Sequence, residues 1–206
     1  MSKVLTALSV SVDGYITGRD PGAGRGLGDG GMLFDWYFNG DTPSREFDGF
    51  KLSAESARVF DGLASRLGVS VAGRNTYDDS GWIDGGAPHP TAPLVVVSHR
   101  PLVGSEAPDI GPGMSDRQTL VTSGIEDAIA VAKKLAGSKD VALMGGGVVS
   151  TALAAGLVDE VVLHQVPILL GAGRSFFQDL PSHIHLRLLE AVAAPGVTHL
   201  HYEVVR

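Results

Sequence analysis

Apolar and polar positions alternate with a period of two near the start of the chain and take helical spacing further on. In 4–12 most even positions carry bulky apolar side chains, whereas Ala7, Ser9 and Ser11 are small. This pattern predicts a strand with one bulky face and one slim face. A slim face lets a flat ring approach closely. Further apolar runs predict strands at 69–72, 94–97, 141–143 and 158–166.

Helical spacing of apolar residues appears between these strands. A first helix is predicted over 53–67, with Gly68 as its C-terminal stop. Ser123-Gly124-Ile125-Glu126 has the form of a capping box and predicts where a second helix begins. A third helix is predicted over 148–155. The chain then ends in a predicted hairpin, with strands at 184–192 and 197–204 around Pro195-Gly196.

Strands that alternate with helices and finish in an antiparallel pair are typical of α/β proteins. We therefore predict a three-layer α/β/α sandwich with a mixed, mainly parallel sheet and a C-terminal antiparallel hairpin. The 206 residues contain no internal repeat and no linker-like stretch. A single domain over 1–206 is therefore expected.

Composition and charge narrow the classes of function. The formal net charge is −7, which disfavours nucleic acid or an anionic membrane as a partner. Binding of an anionic ligand would need local arginines, so Arg74, Arg100 and Arg174 are candidates for contact with such a ligand. The chain has no cysteine, which excludes disulfides, thiol catalysis and cysteine metal sites. No apolar run approaches the ~20 residues of a membrane span, and no signal peptide is evident, so a cytoplasmic protein is expected.

Three segments place glycine or a basic residue directly after a predicted strand. Gly145, Gly146 and Gly147 follow the strand 141–143 and precede a helix, an order that favours phosphate at the helix N-terminus. Arg74 and Arg100 stand in the same position after two other strands. A tight packing turn is the alternative for the glycines, and an ordinary surface position is the alternative for the arginines.

These segments, in this order, resemble the dihydrofolate-reductase-like superfamily. The closest resemblance is to the reductase domain of bifunctional riboflavin deaminase–reductases and its stand-alone relatives. The segment 8–16 is similar to that family's N-terminal S-L-D-G strand, with Val12 in place of the usual Leu. The segment 166–173 is similar to its late P-x-L-L-G-x-G motif. The resemblance extends from Val4 to about Val204 and implies an NADPH-dependent reductase that acts on a flat polar heterocycle or a ribosylaminopyrimidine-like substrate.

The resemblance also implies which residues contact the cofactor. The pair Ser98 and Arg100 would hold the 2′-phosphate of NADP, and Arg74 would clamp a dinucleotide phosphate. The full set of implied cofactor contacts is Ser9, Ile16, Thr17, Gly73, Arg74, Asn75, Thr76, Ser98, His99, Arg100, Met144, Gly145, Gly146, Gly147, Val148, Val149 and Leu170.

Two carboxylates and two tryptophans are candidates for contact with the substrate. The resemblance places Asp13 beside the nicotinamide pocket, where it would orient substrate or relay a proton; a turn-forming Asp before Gly14 is the alternative. Asp35 is the nearest candidate for the carboxylate that binds the pterin in folate-reducing members. Trp36 and Trp82 suit the core and the walls of a heterocycle pocket equally well. The insert 39–51 departs from the folate-reducing pattern.

Other classes of site have weaker support. The loop 18–31 formally contains G-x-G-x-x-G, but no strand precedes it directly and no helix opens within it, so a lid or a surface loop is favoured over a Rossmann motif. No G-x-S-x-G elbow supports a serine hydrolase. The H-x-H pairs at 183/185 and 199/201 are candidate metal ligands. We expect instead that these histidines lie on an exposed strand face, that the two pairs do not come together in the hairpin, and that no metal is bound.

We expect a small-molecule substrate and a homodimer that forms through the C-terminal hairpin. No deaminase domain is expected, because its zinc site needs cysteines and further chain length. The alternative function is a non-catalytic NADP-binding sensor or partner-binding module, which would keep Arg74, Arg100 and the three glycines and lack a proton route.

Overall fold

The structure is a computed structural model that describes residues 2–82, 86–99, 117–178 and 180–206. The strands are β1 (Val4–Ser11), β2 (Thr42–Pro43), β3 (Lys51–Leu52), β4 (Leu67–Gly73), β5 (Leu94–Val97), β6 (Gln118–Val121), β7 (Asp140–Met144), β8 (Glu160–Val166), β9 (Leu186–Ala194) and β10 (Val197–Val204). The helices are a 3₁₀ helix (Gly31–Tyr37), α1 (Ala54–Ala64), α2 (Arg74–Asp79), α3 (Ile125–Ala136) and α4 (Gly146–Ala154).

Eight of the described strands form one sheet in the order β6-β5-β4-β7-β1-β8-β10-β9. Neighbouring strands from β6 to β8 are parallel. The last two pairs, β8 with β10 and β10 with β9, are antiparallel. The predicted mixed, mainly parallel sheet with a C-terminal hairpin is therefore confirmed. The carboxyl ends of its parallel strands meet at one edge, which is where ligands bind in sheets of this kind.

Helices cover both faces of the sheet, and an apolar core lies on each face. The even residues Val4, Leu8 and Val10 of β1 pack in one core with the apolar faces of α3 and α4. On the other face, Leu33 and Trp36 of the 3₁₀ helix pack with α1 and the strands β8 and β10. The bulky face of β1 thus turns toward the larger core. Its slim face leaves room beside Trp36, whose indole Nε1–H donates to Ser9 Oγ at 3.0 Å.

Two predicted helix boundaries are wrong, and glycine is the reason in both. α1 ends at Ala64 with Ser65 as its C-cap, so Gly68 is not a helix stop but a residue of β4. An added Cβ at Gly68 would lie 2.7 Å from Lys139 Cβ and 2.9 Å from Ala136 Cα. For α3, the N-cap is Gly124, at a φ of 113°, with no side-chain cap bond. The predicted capping box of Ser123 and Glu126 therefore does not form.

The C-terminal hairpin turns at Pro195-Gly196 as predicted, and β9 is the outer strand of the sheet. His201 pairs with Glu190, and a register shift follows between His201 and Tyr202. One expectation about this hairpin is wrong. His199 does not lie on an exposed strand face but is 2% exposed, opposite His164 of β8. In the described part of the chain no helix has the length and apolarity needed to cross a membrane.

We predict that Gly68→Val destabilises the fold. The new side chain would press on the backbone at Ala136, and overpacking of this kind costs about 1–3 kcal/mol. The control is Gly62→Ala in α1, where nothing lies within 4 Å of the added Cβ. An exposed helical Gly→Ala change stabilises by about 0.5–1 kcal/mol. Urea unfolding of both variants is the measurement, and a neutral Gly68→Val would contradict the close approach.

Candidate functional site

A cavity of about 880 Å³ opens at the carboxyl ends of the parallel strands. Ser9 of β1, Gly73 of β4, Val97 of β5 and Met144 of β7 all contribute to its lining. The volume lies in the upper part of the range for sites that hold cofactors and drug-sized ligands. The strand order places the ends of β4, β7 and β1 side by side, so residues far apart in sequence surround one space.

The three glycines after β7 lie in this lining but do not share one role. A Cβ at Gly145, where φ is 92°, would lie 2.3 Å from Thr76 Oγ1. A Cβ at Gly146 would lie 2.5 Å from the carbonyl oxygen of Ser175. At Gly147 the nearest neighbour is the side chain of Gln178, at 3.7 Å. Gly145 and Gly146 therefore serve close packing, whereas a side chain at Gly147 would make only ordinary contact at the first turn of α4.

Two arginines approach the glycine end of the cavity, and each already pairs with a carboxylate. Arg74 is buried, and its Nε donates to both carboxylate oxygens of Asp78, at 2.7 and 2.9 Å. Arg174 forms an ion pair with Asp79. Both arginines line the cavity, so a bound anion would share them with the aspartates. The phosphate clamp proposed for Arg74 stays a prediction.

Most of the other predicted cofactor contacts line the same cavity. Thr17 is held in place because its hydroxyl oxygen accepts from the backbone N–H of Arg174 at 2.8 Å. At the end of β5, Ser98 is buried and lies beside His99 in the lining, whereas Arg100 is outside the described residues. The predicted contacts found in the lining are Ser9, Ile16, Thr17, Gly73, Arg74, Asn75, Thr76, Ser98, His99, Met144, Gly145, Gly146, Gly147 and Val148.

Two predicted cofactor contacts lie elsewhere. Val149 is fully buried and packs in the core between α4 and the sheet. Leu170 packs against the core on the opposite face, and its backbone N–H donates to Asp13. Neither residue is part of the cavity lining.

The two predicted catalytic carboxylates also lie outside the lining. Asp13 is exposed, and its carboxylate accepts from the Ser11 hydroxyl at 2.6 Å and from the N–H groups of Leu170 and Gly171 at 3.1 and 2.7 Å. The bond from Ser11 and those two backbone bonds lower the pKa of Asp13. Asp13 thus ties the end of β1 to the loop after β8. Asp35 is exposed on the 3₁₀ helix.

Aromatic side chains form one wall of the cavity, and most of them were not predicted from the sequence. Tyr37 stacks on Phe50 with ring centroids 4.6 Å apart, and Phe47 stacks on Phe50 at 5.2 Å. Phe34 and Phe60 complete this aromatic wall. Phe47 and Phe50 come from the insert 39–51, so the density of aromatic residues in that insert was the available signal. Stacked rings favour a flat ligand.

The two tryptophans separate into the two roles that the sequence left open. Trp36 is 1% exposed and packs between Tyr37 and Phe60, so it belongs to the core. Trp82 lines the cavity. Its backbone carbonyl accepts from the Gln118 side chain at 2.7 Å, which fixes this part of the wall.

The glycine-rich loop 18–31 folds back on itself beside the cavity. The N–H of Gly18 donates to the carbonyl of Leu27 at 2.9 Å, and Gly22 pairs with Gly26. Gly26 and Leu27 line the cavity, which agrees with a loop that covers the site. A 3₁₀ helix follows this loop, and β1 ends at Ser11, so the strand and helix of a Rossmann motif are not next to it. Its action as a lid stays a prediction.

A buried pair of histidines borders the cavity and was also missed. His164 of β8 lines the cavity, and its Nδ1 lies 2.8 Å from Nδ1 of His199. The Nε2 of His199 lies 3.0 Å from the hydroxyl of Ser56 in α1. Burial, with a smaller effect of His199, lowers the pKa of His164 to about 3. Burial also lowers the pKa of His199 to about 4, with Arg58 adding to the shift. Both rings are therefore neutral near pH 7.

Metal binding by the histidines would need further ligand side chains close to them. Across 2–82, 86–99, 117–178 and 180–206 no group of three or more potential ligand side chains is placed to hold an ion. His201 instead contacts Glu160 at 3.0 Å, and Glu160 also pairs with Lys3 and Arg66. The bond from His201, followed by that from Lys3 and the charge of Arg66, lowers the pKa of Glu160 to about 2.

Comparison with known proteins gives a family and several similar structures. The family model of the RibD C-terminal domain matches residues 2–200. A putative riboflavin biosynthesis protein from Shewanella sp. PV-4 is 26% identical, with a TM-score of 0.68 and all of both chains covered. A pyrimidine reductase-like protein from Corynebacterium diphtheriae is 16% identical, with a TM-score of 0.62, and the match covers 100% of this chain and 92% of that one.

A more distant match shows the fold alone. Dihydrofolate reductase from Enterococcus faecalis, in a complex with NADP(H), is 13% identical, with a TM-score of 0.57 and coverage of 98% and 96% of the two chains. No curated protein matches the sequence.

We predict that stability falls as the pH is lowered from 6.5 toward 5. The unfolded chain takes up protons on its histidines near pH 6.5, whereas His164 and His199 stay neutral in the fold until about pH 4. The free energy of unfolding should fall by about 1–3 kcal/mol for this pair over that range. His89, whose pKa burial also lowers, adds in the same direction.

Urea unfolding at pH 7, 6 and 5 is the measurement. His199→Gln should reduce the pH dependence, because it removes one of the two groups, whereas replacement of the exposed His185 by Gln should leave it unchanged. Stability that stays constant from pH 7 to 5 would contradict a neutral buried pair.

Proposed function

The chain belongs to the RibD C-terminal domain family, and we propose that it is a reductase of the riboflavin-biosynthesis type that uses NADPH. The observation that carries this proposal is the cavity itself, which combines a glycine end suited to phosphate with an aromatic wall suited to a flat ring. The proposed substrate is a flat polar heterocycle or a ribosylaminopyrimidine-like compound. When bound, NADPH would supply the hydride.

The residues at the glycine end fit the diphosphate of a dinucleotide. α4 begins at Gly146, and the first N–H groups of a helix have no partner within the helix. Gly147 is exposed in this first turn and lines the cavity, so a ligand can approach these N–H groups. The helix dipole adds a favourable potential for an anion at the same place. Thr76 and Ser98 add hydroxyl groups, and Arg174 adds a cation that it shares with Asp79.

The residues at the aromatic wall fit the reacting end of the site. Tyr37, Phe47 and Phe50 would stack on a heterocycle and exclude water from it. Burial raises the pKa of Tyr37, and its hydroxyl hydrogen-bonds with Ser9. Ala7 and Ser9 of β1 are small, which lets a ring lie close to the strand. This chain would therefore contribute to the rate mainly by alignment of the two reactants.

A non-catalytic NADP-binding sensor is the second candidate. One observation favours it, because Asp13 and Asp35 lie outside the cavity lining and neither offers the carboxylate that the proton step was expected to use. A sensor would bind NADPH and oxidise it with none of a panel of pterins, pyrimidines and ribosylaminopyrimidines. Oxidation with any of them, followed at 340 nm, would favour the enzyme.

We predict that Gly147→Asp abolishes NADPH binding while the protein stays folded. An aspartate in the first turn of a helix stabilises that helix, so a loss of binding would come from repulsion of the phosphates. Gly147→Ala is the matched variant; its methyl group meets only Gln178, and we expect a loss of roughly tenfold or less. Fluorescence titration with NADPH, and with NADH in parallel, is the measurement.

Gly146 is not suited to this test, because a side chain there would displace the backbone at Ser175. Full NADPH affinity in a folded Gly147→Asp protein would contradict a diphosphate at α4. Equal affinity of the wild type for NADPH and NADH would remove the proposed contact of Ser98 and Arg100 with a 2′-phosphate.

We also propose a homodimer that forms through the C-terminal hairpin. β9 is the edge strand, and Leu186, Leu188 and Leu189 are 39%, 53% and 48% exposed. An apolar edge of this length favours pairing with a second chain. Light scattering should give 42.8 kDa, twice the 21.4 kDa of one chain. Leu188→Lys should lower the mass, and Leu135→Lys on α3 should not; a monomeric wild type would contradict the proposal.

A further inference from the structure

His164 lies in a row of polar residues that crosses the sheet beside the cavity. It pairs in register with Ser9 of β1 on one side and with His199 of β10 on the other. Residues in register on neighbouring strands share a face of the sheet. The indole of Trp36 packs on both imidazoles, with ring centroids 5.0 and 5.1 Å away, and so holds them in place.

The hydrogen bonds of this row have one favoured direction. The hydroxyl of Ser56 is fully buried, and within the described ranges its one hydrogen-bond partner is Nε2 of His199. If Nε2 carried the proton, the hydroxyl hydrogen of Ser56 would be left without an acceptor, which buried groups avoid. Ser56 therefore donates to His199 Nε2.

The tautomers of both histidines follow from that direction. A neutral imidazole carries one N–H, so His199, which accepts at Nε2, carries its proton on Nδ1. It donates that proton to Nδ1 of His164, 2.8 Å away. His164 then carries its own proton on Nε2. Among the residues that the structure describes, no protein group accepts from this Nε2–H, and His164 lines the cavity.

We propose that His164 determines substrate specificity by donating its Nε2–H to an acceptor atom, a carbonyl oxygen or an unprotonated ring nitrogen, on the heterocycle that the cavity holds. His199 and Ser56 are positioning residues that fix the tautomer. The proposal rests on the proposed function for the presence of a heterocycle in the cavity. The aromatic wall orients the ring plane, and the fixed donor selects which edge of the ring faces β8.

A fixed donor has a measurable consequence for selectivity. A heterocycle with a carbonyl oxygen at the matching edge completes the chain of hydrogen bonds. An amino group in that position sets donor against donor and leaves both unpaired in a buried site. Sites built to hydrogen-bond one group discriminate strongly against analogues that cannot make the bond. We expect at least ~10-fold tighter binding of the carbonyl form.

The first experiment reads the tautomers in the protein without any ligand. Long-range ¹H–¹⁵N correlation of the histidine side chains at pH 7 distinguishes Nε2–H from Nδ1–H rings. The expected result is Nε2–H for His164 and Nδ1–H for His199. The opposite pair of tautomers, or a protonated ring, would overturn the proposal. This readout does not depend on NADPH.

The second experiment measures selectivity with two probes, 5,6-diaminouracil and 2,4,5,6-tetraaminopyrimidine, by calorimetry. The wild type should prefer the uracil at least ~10-fold. Ser56→Ala should lose most of that preference, because nothing then fixes the tautomer of His199. The control is Ser65→Ala at the exposed end of α1, whose hydroxyl donates to the Gly62 carbonyl; it should keep the preference.

The outcomes separate this proposal from the proposed function. Equal binding of the two probes by the wild type, or an undiminished preference in Ser56→Ala, would overturn the role of His164. NADPH titration of the same proteins provides the independent readout, and Ser56→Ala should change that affinity by less than ~2-fold, since the polar row lies away from α4. If the wild type selects the uracil but does not bind NADPH, the proposed reductase function is wrong and the proposed donor role of His164 is retained.

Discussion

The close packing of two distant segments on the glycines after β7 is the constraint on which the cavity depends. Thr76 of α2 and the backbone at Ser175 both approach the positions where Gly145 and Gly146 would carry side chains. This contact lets α4 begin directly at the sheet edge and brings α2 and the loop after β8 to the same point. Larger residues would push those walls apart. Gly147, by contrast, is exposed and lines the cavity.

Local groups around the cavity, and not the net charge of the chain, would attract an anionic ligand. A chain with a net charge of −7 attracts an anionic ligand poorly at long range, so binding would rely on local groups. The arginines that line the cavity are held by Asp78 and Asp79 and are already oriented. An oriented guanidinium loses little conformational freedom when a phosphate arrives, although the aspartate reduces its net attraction. The first turn of α4 contains no carboxylate that would reduce the attraction of its backbone N–H groups. These N–H groups would therefore contribute most to the binding of an anion.

Much of the fold could be predicted from the sequence, because most central strands are apolar runs that alternate with segments of helical spacing. β5 has the predicted bounds, and the hairpin turns at the predicted Pro195-Gly196. The boundaries at Gly68 and Gly124 were missed because one glycine serves a close approach and the other a positive φ, and neither purpose shows in a periodic pattern. Local sequence indicates the propensity for helix or strand, whereas tertiary contacts and backbone conformation determine why these two positions are glycine.

The candidate site divides in the same way. Residues that follow a strand directly, such as Gly73 and Met144, could be placed because parallel strands end at one edge. Asp13 could not, since its partners Leu170 and Gly171 lie 157 and 158 residues away. The aromatic wall was hidden in an insert that no periodic pattern explains. His164 sits in the middle of an apolar strand, and only the register of β8 with β10 shows its partner.

Two neutral histidines buried beside Trp36 contribute less to the stability of the fold than apolar side chains would. Their presence therefore points to a role other than stability. Aliphatic residues at His164 and His199 would pack against Trp36 without any polar atom to satisfy. In this fold Ser56, His199 and His164 instead form a chain of hydrogen bonds that ends at the cavity. Local rules are broken in this way mainly at functional sites. Since both predicted carboxylates lie outside the lining, a neutral donor with a fixed direction gives the cavity a polar contact that does not depend on pH near neutrality.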